Sequence, residues 1–211
     1  MFTRIKLAVA GATSSLAMLA ALAPAAHANL LSAVLPGTCG SQPESQPFAG
    51  FGDTNLYTPV PGGSFEVGTP SWALWNGAQV VSGNESYNVA GGSRSLRLPA
   101  GSSATSPALC TGEDHPSARM FVRNTGSPTS KLNVWATYPP ILGLLPVRAY
   151  LGTISGSDSW QPSSYLDLGY LTNLVGSVNL GETTVSFTFA PADNTGDWSI
   201  DDLYLDPHCR G

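Results

Sequence analysis

Lys131-Leu132-Asn133-Val134-Trp135-Ala136-Thr137-Tyr138 decides the fold class. Leu132, Val134, Ala136 and Tyr138 occupy every second position, and Trp135 stands on the opposite side. Successive side chains of a strand point to opposite faces, so a period of two marks a strand with one face buried. The same pattern recurs outward from this stretch. Residues 118–123 form a strand, followed by the turn chemistry of Asn124-Thr125-Gly126-Ser127-Pro128. Past Pro139-Pro140 the pattern continues through Leu145, Val147, Ala149 and Leu151. Val185, Phe187 and Phe189 line one face of 184–189, and 198–205 is the last strand. Toward the N-terminus, 64–67, 72–75, 79–81 and 93–99 read as strands, as does 160–168. Thr172 to Val175 reads as a single helical turn, and Asp193-Asn194-Thr195-Gly196-Asp197 as a hairpin turn. Eight or nine short strands separated by turn residues predict an all-β chain, a single antiparallel β-sandwich with two facing sheets.

Composition excludes the alternatives. Only 11% of the 211 residues are Asp, Glu, Lys or Arg, less than half the roughly 25% of an average soluble domain. A helix bundle or coiled coil needs more charge, and 42% apolar residues with five Trp exclude a charged disordered chain. The 23 Gly and 17 Pro follow no collagen period and fall largely in turns. Arg4 and Lys6, the apolar 7–25 and the Ala26-His27-Ala28 exit read as a secretory signal peptide cleaved after Ala28. Removing it leaves 183 residues with seven basic against 14 acidic side chains, a net charge of −7. Such a chain carries no electrostatic footprint for nucleic acid and no membrane contact after cleavage. The expected organisation is signal peptide 1–28, irregular lead-in 29–60, sandwich 61–207 and tail 208–211. The product is expected to be secreted and monomeric or weakly self-associating.

Three cysteines in an oxidising compartment imply one disulfide and one thiol left over. Three pairings are possible. Cys39–Cys110 is favoured because Cys209 sits in the terminal tail. In the chain-entropy model a bridge closing that loop stabilises by about 4 kcal/mol.

Two stretches carry a family resemblance. Pro61-Gly62-Gly63-Ser64-Phe65-Glu66-Val67-Gly68 precedes Trp72 and Trp75, and Gly196-Asp197-Trp198-Ser199-Ile200-Asp201-Asp202-Leu203-Tyr204-Leu205-Asp206-Pro207 closes the chain. Together with Gly91-Gly92-Ser93-Arg94-Ser95-Leu96 they resemble carbohydrate-binding modules of the galactose-binding-like jelly-roll group. The chain also resembles a group of small secreted actinobacterial proteins of unassigned function. The resemblance implies a jelly roll whose first and last strands lie side by side, sealed by Phe65, Trp72 and Trp198. It also implies a structural calcium ion bridging Glu66 and Asp201 or Asp202. Neighbouring strand residues face opposite ways, so one of the two Asp is expected inside and the other in solvent.

No catalytic motif stands out: there is no G-x-S-x-G, no H-E-x-x-H and no C-x-x-C. His115, beside Glu113 and Asp114, reads as a solvated loop. The expected function is non-catalytic recognition of an extracellular or cell-wall polysaccharide. Aromatic rings with an apolar body and polar tip suit a partly wet sugar surface. Trp75, Trp135, Tyr138 and Trp160 are the candidate platforms, with Tyr150 and Tyr165 beside them. A cell-surface protein-interaction domain is the alternative, and a small secreted hydrolase the weaker one.

Overall fold

The computed structural model describes residues 42–66, 72–112, 117–140, 145–169 and 182–206. Among these residues thirteen strands form two antiparallel sheets. The first runs β10 (Gln161–Pro162), β7 (Ser117–Asn124), β13 (Asp197–Asp206), β4 (Arg94–Pro99), β3 (Gln79–Ser82). In it β1 (Thr58–Pro59) also pairs with β13, and β11 (Leu166–Asp167) with β7. The second runs β2 (Ala73–Trp75), β5 (Ser103–Thr105), β12 (Glu182–Pro191), β8 (Leu132–Pro140), β9 (Pro146–Ile154), with β6 (Leu109–Gly112) also on β12. The sandwich predicted from alternation is the observed architecture.

The main core lies between the sheets. From the first come Leu96, Leu98, Met120, Val122, Trp198 and Ile200, all fully buried. From the second come Leu132, Val134, Ala136, Tyr138, Val185, Phe187 and Phe189. Phe65 and Trp72 seal one end, their rings edge-on at 5.0 Å, and Trp72 stacks toward Phe189 at 6.4 Å. The aromatic seals expected from the resemblance therefore sit in this core.

A second apolar cluster covers the outer face of the first sheet: Phe48, Tyr57, Phe121, Trp160 and Tyr204. It forms because residues preceding Pro61 lie down on that face. Ser45 bridges Tyr57, and β1 pairs with β13. Arg119 pins this layer. Its guanidinium lies 4.7 Å from the Phe48 ring centroid and 4.5 Å from that of Tyr165, and Nη1 donates to Asp53 Oδ2 at 2.7 Å. Tyr57 OH donates to the same oxygen at 2.6 Å. Burial alone would raise the Asp53 pKa, but donors from Tyr57, Arg119 and the Asn55 backbone outweigh it and hold the carboxyl low.

Several expectations are corrected. Residues 62–66 make turns, with Phe65 at φ 58°, where a strand was expected from Ser64. The expected strand 160–168 is two short pairings, β10 and β11, separated by a loop. β5 lies in the stretch 101–106, where Gly and Ser composition alone would favour a turn. The helical turn at Thr172 to Val175, His115, and Cys39 and Cys209 lie outside the described residues.

Candidate functional site

Among the described residues nothing covers the outer face of the second sheet, and its register places the side chains in rows across the strands. Ala73, Thr105, Thr188, Trp135 and Tyr150 are successive partners from β2 to β9. On one side of this row Trp75 pairs with Ser103, and Ala190 pairs with Asn133. On the other side lie Ser186, Thr137 and Arg148. At about 4.8 Å per strand the row spans about 19 Å.

This face has a definite chemistry. Its floor is hydroxyl and amide: Ser103, Thr105, Ser186, Thr188, Thr137 and Asn133. Thr105 and Thr188 share a hydrogen bond at 2.9 Å between their hydroxyls. Aromatic rings stand at both rims. Trp75 is 61% exposed on β2. Trp135 and Tyr150 meet at 5.6 Å on β8 and β9, and Tyr150 OH donates to Asn133 Oδ1 at 3.0 Å. The Arg148 guanidinium lies 4.8 Å from the Trp135 ring centroid. Among the described side chains none on this face is acidic.

Of the four aromatic candidates the structure brings Trp75 and Trp135 to one face and removes two. Tyr138 is 1% exposed and belongs to the main core. Its own alternation with Leu132, Val134 and Ala136 already points it inward. Trp160 is buried in the other layer, on the far side of the molecule, beneath Arg123. Tyr150 joins Trp135, while Tyr165 lies against Arg119. Sequence reasoning missed the hydroxyl floor. Its signal was present in the outward positions of β8 and β12, which are Asn133, Thr137, Ser186 and Thr188.

The carboxylates gather elsewhere, under the loop joining β3 to β4. The expectation that one of Asp201 and Asp202 faces solvent is wrong: they are 1% and 2% exposed. A bulge between Asp201 and Tyr204 breaks the pleat, with Asp202 at φ 48°. A bulge re-aims neighbouring side chains, and Asp tolerates the left-handed region better than most residues. Both acids then serve backbone donors. Asp201 Oδ2 accepts from Glu85 N at 3.0 Å, and Asp202 Oδ2 from Ala90 N at 3.1 Å. Buried Glu85 accepts from Tyr87 N and Val89 N. Glu66 Oε1 accepts from Ser93 N at 2.8 Å and Arg94 N at 2.7 Å, donors that hold its pKa below the usual value. A Cβ on Gly92 would overlap the Glu66 carboxyl, so that approach requires glycine.

The fit to a calcium ion is partial. Among the described residues no group of three or more acidic, His or Cys side chains is arranged to hold a metal. Calcium takes six to eight oxygens, while those of Glu66, Glu85 and Asp201 are turned to N–H donors. Asp202 Oδ1 is the exception, buried with no partner.

Burial pushes the Asp201 pKa up to about 8, with the Asp202 charge adding to it, and that of Asp202 up to about 6, with Glu85 and Glu66 adding to it. Acids whose folded values lie above the unfolded value bind their protons more tightly when folded. Their contribution is therefore full below the unfolded value and is lost as pH rises through the folded one. In chelator, the melting temperature should fall as pH is raised from about 5 to about 8.5, and Asp201→Asn should flatten that fall. A melting temperature that rises over this window would contradict it.

The sequence matches no family model and no curated protein. Solved structures do match. The CBM22-1–GH10 modules of the Clostridium thermocellum endo-1,4-beta-D-xylanase 10B, complexed with xylohexaose, superpose with a TM-score of 0.51 at 15% identity, covering 68% of this chain and 27% of that one. The tandem CBM22-1–CBM22-2 domain of Paenibacillus barcinonensis Xyn10C gives 0.51 at 11% identity, covering 82% and 48%. The chain thus spans about a quarter of the first and about half of the second. At such identities the likeness is one of fold, and that fold is the jelly roll of carbohydrate-binding modules.

Proposed function

We propose that this chain is a secreted, non-catalytic carbohydrate-binding protein that grips an extracellular or cell-wall polysaccharide on the outer face of the second sheet. The observation that carries the reading is the pairing of two aromatic rims, Trp75 and Trp135–Tyr150, with a hydroxyl and amide floor. Rings at the rims stack on the apolar faces of pyranose units, and floor groups exchange hydrogen bonds with sugar hydroxyls. A binding mode that uses hydrogen bonds and stacking needs no net charge. The matched xylanase modules were solved with xylohexaose bound, which makes a neutral β-linked polysaccharide the first substrate to test. Retention on insoluble xylan, cellulose or chitin is expected. Trp75→Ala and Trp135→Ala should each weaken it by about tenfold, the equivalent of roughly 1.4 kcal/mol. No retention on any of the three would move the reading to a cell-surface protein-interaction domain.

The same proposal takes residues 1–28 as the secretion signal and the mature chain as a monomer. It also takes Cys39–Cys110 as the disulfide. Gln42 Nε2 donates to Cys110 O at 3.2 Å, which brings the chain three residues after Cys39 to β6. Three extended residues reach about 10 Å, so the pairing is within range. Peptide mapping without reductant should recover a Cys39–Cys110 peptide, and a Cys110–Cys209 peptide would sink the assignment.

Calcium at the bulge keeps one observation in its favour, the buried unpartnered Asp202 Oδ1. An ion held by Asp202, with Glu66 and Asp201 as the further carboxylates, would supply the counter-charge that this buried group lacks. Added calcium should raise the melting temperature and chelator should lower it. Identical melting curves would leave these acids as backbone caps alone.

A further inference from the structure

The outer face of the first sheet carries a second polar row that the sugar face does not use. Ser199 on β13 is flanked by Arg97 on β4 and Arg123 on β7, its register partners on either side. Gln79 on β3 continues the row beyond Arg97. Buried Trp160 lies under the Arg123 guanidinium, 5.0 Å from its ring centroid. Tyr87, 47% exposed, donates from its hydroxyl to Trp160 O at 3.0 Å, with its ring against Phe51 and Phe121.

The two arginines have the same setting and different fates. Arg97 is met by the chain's own carboxylate: Nε donates to Asp197 Oδ1 at 2.9 Å and Nη2 to Oδ2 at 2.8 Å. This two-point fork is the preferred recognition of a carboxylate by guanidinium. Arg123 has no carboxylate partner among the described residues, and its Nε is buried without a hydrogen bond. On the same face Ser95, two residues before Arg97 and 1% exposed, also has a buried hydroxyl without a partner. A buried donor without a partner is costly; Nε is closed to solvent, so a ligand reaches Arg123 by the half-exposed remainder of its guanidinium.

We propose that this row is a second ligand site, taking the carboxylate of an acidic sugar, a uronic acid unit, on Arg123 beside Ser199, Trp160 and Tyr87. One unpaired guanidinium matches one negative charge, which favours a carboxylate over a doubly charged phosphate. The surroundings favour a sugar: Gln79 and Gln161 offer hydroxyl partners, and Tyr87 offers a partly exposed ring. The site lies on the opposite sheet from the neutral-sugar face, so it stands whether or not that reading holds.

The test is a nuclear magnetic resonance titration of the full secreted chain with sodium glucuronate, its uncharged methyl ester and glucose. Glucuronate should shift the Arg123 Nε–H, the Ser199 amide and the Trp160 indole, whereas the ester and glucose should not. Arg123→Gln should weaken glucuronate binding by about tenfold or more, and Arg123→Lys by less, since it keeps the charge and loses the fork. The ester comparison needs no variant, so a misfolded Arg123 variant would not shield the proposal. Equal shifts from ester and acid would overturn it, and so would equal shifts from acetate, which would reduce the site to one for any small anion. Glucuronate shifts confined to Arg148 and Trp135 would also overturn it, by assigning the acidic sugar to the other sheet.

Discussion

The structure depends on how β13 is buried. This strand is the hub of the first sheet, paired with β7 on both sides of a bulge, with β4 over residues 197–200 and with β1 near its end. From Trp198 to Asp206 every residue is buried, on both faces. A strand that sends Ser199, Asp201, Asp202 and Asp206 into the interior cannot rest on apolar contact alone. Buried polar groups must be hydrogen-bonded, and buried charges need more. The bulge meets part of this demand by turning two carboxylates toward the backbone donors of the loop after β3. The loop is held down as a result. Tyr87 can then pack against Phe121 at 5.6 Å, and Val89 against the second apolar cluster.

The two sheets therefore meet solvent differently. The first wears a coat made of the segment before Pro61 and the loop between β3 and β4, fastened by Arg119, Asp53 and the bulge acids. Among the described residues the second has no such coat, and its outer positions alternate strictly with core residues along β8 and β12. An open sheet face with Ser, Thr, Asn and aromatics in register is a surface built from hydrogen-bonding groups and rings. The composition has the same logic. The chain has 11% charged residues, and on the second sheet the described polarity resides mostly in hydroxyls and amides, which suit a neutral polyhydroxylated partner.

The sheets were legible in sequence where one face is buried and the other wet. Lys131 to Tyr138 reads directly as β8, because its period of two is uninterrupted. β12 follows for the same reason. β5 was not legible, because Ser103-Ala104-Thr105 contributes a single core residue, Ala104, and its flanks are Gly and Ser. The paired Asp residues were misread because a bulge suspends the alternation on which the reading rested, and nothing local marks it. Trp160 was misread because its burial comes from the second cluster, whose existence depends on where distant residues 42–60 lie. Tyr138 is the instructive case. Its inward side was written in the alternation of its own strand, yet its aromatic ring argued for a surface role. Periodicity reports the direction of a side chain, whereas residue type reports only what it could do if exposed.

That distinction also orders the aromatic residues by what they do. Trp198, Phe65 and Trp72 hold the sheets together, and a ring in the core is fixed by neighbours on all sides. Phe48, Tyr57 and Phe121 hold the coat to the first sheet through edge-on and tilted contacts at 5.0 and 5.3 Å. Trp75 and Tyr150 have one side of the ring left to water. Exposing such apolar area has a cost of about 25 cal/mol for each Å², and a lone exposed ring requires no explanation. Phe51, Tyr87 and Tyr165 are exposed on the side of the first sheet, but Trp75, Trp135 and Tyr150 share one face, on strands that carry a hydroxyl floor, and that face turns no described acid outward. A packing account leaves that arrangement without a cause, because each ring could be replaced by a polar residue with no loss to the core. A ligand that stacks at the rims and hydrogen-bonds at the floor accounts for the rings and the hydroxyls together.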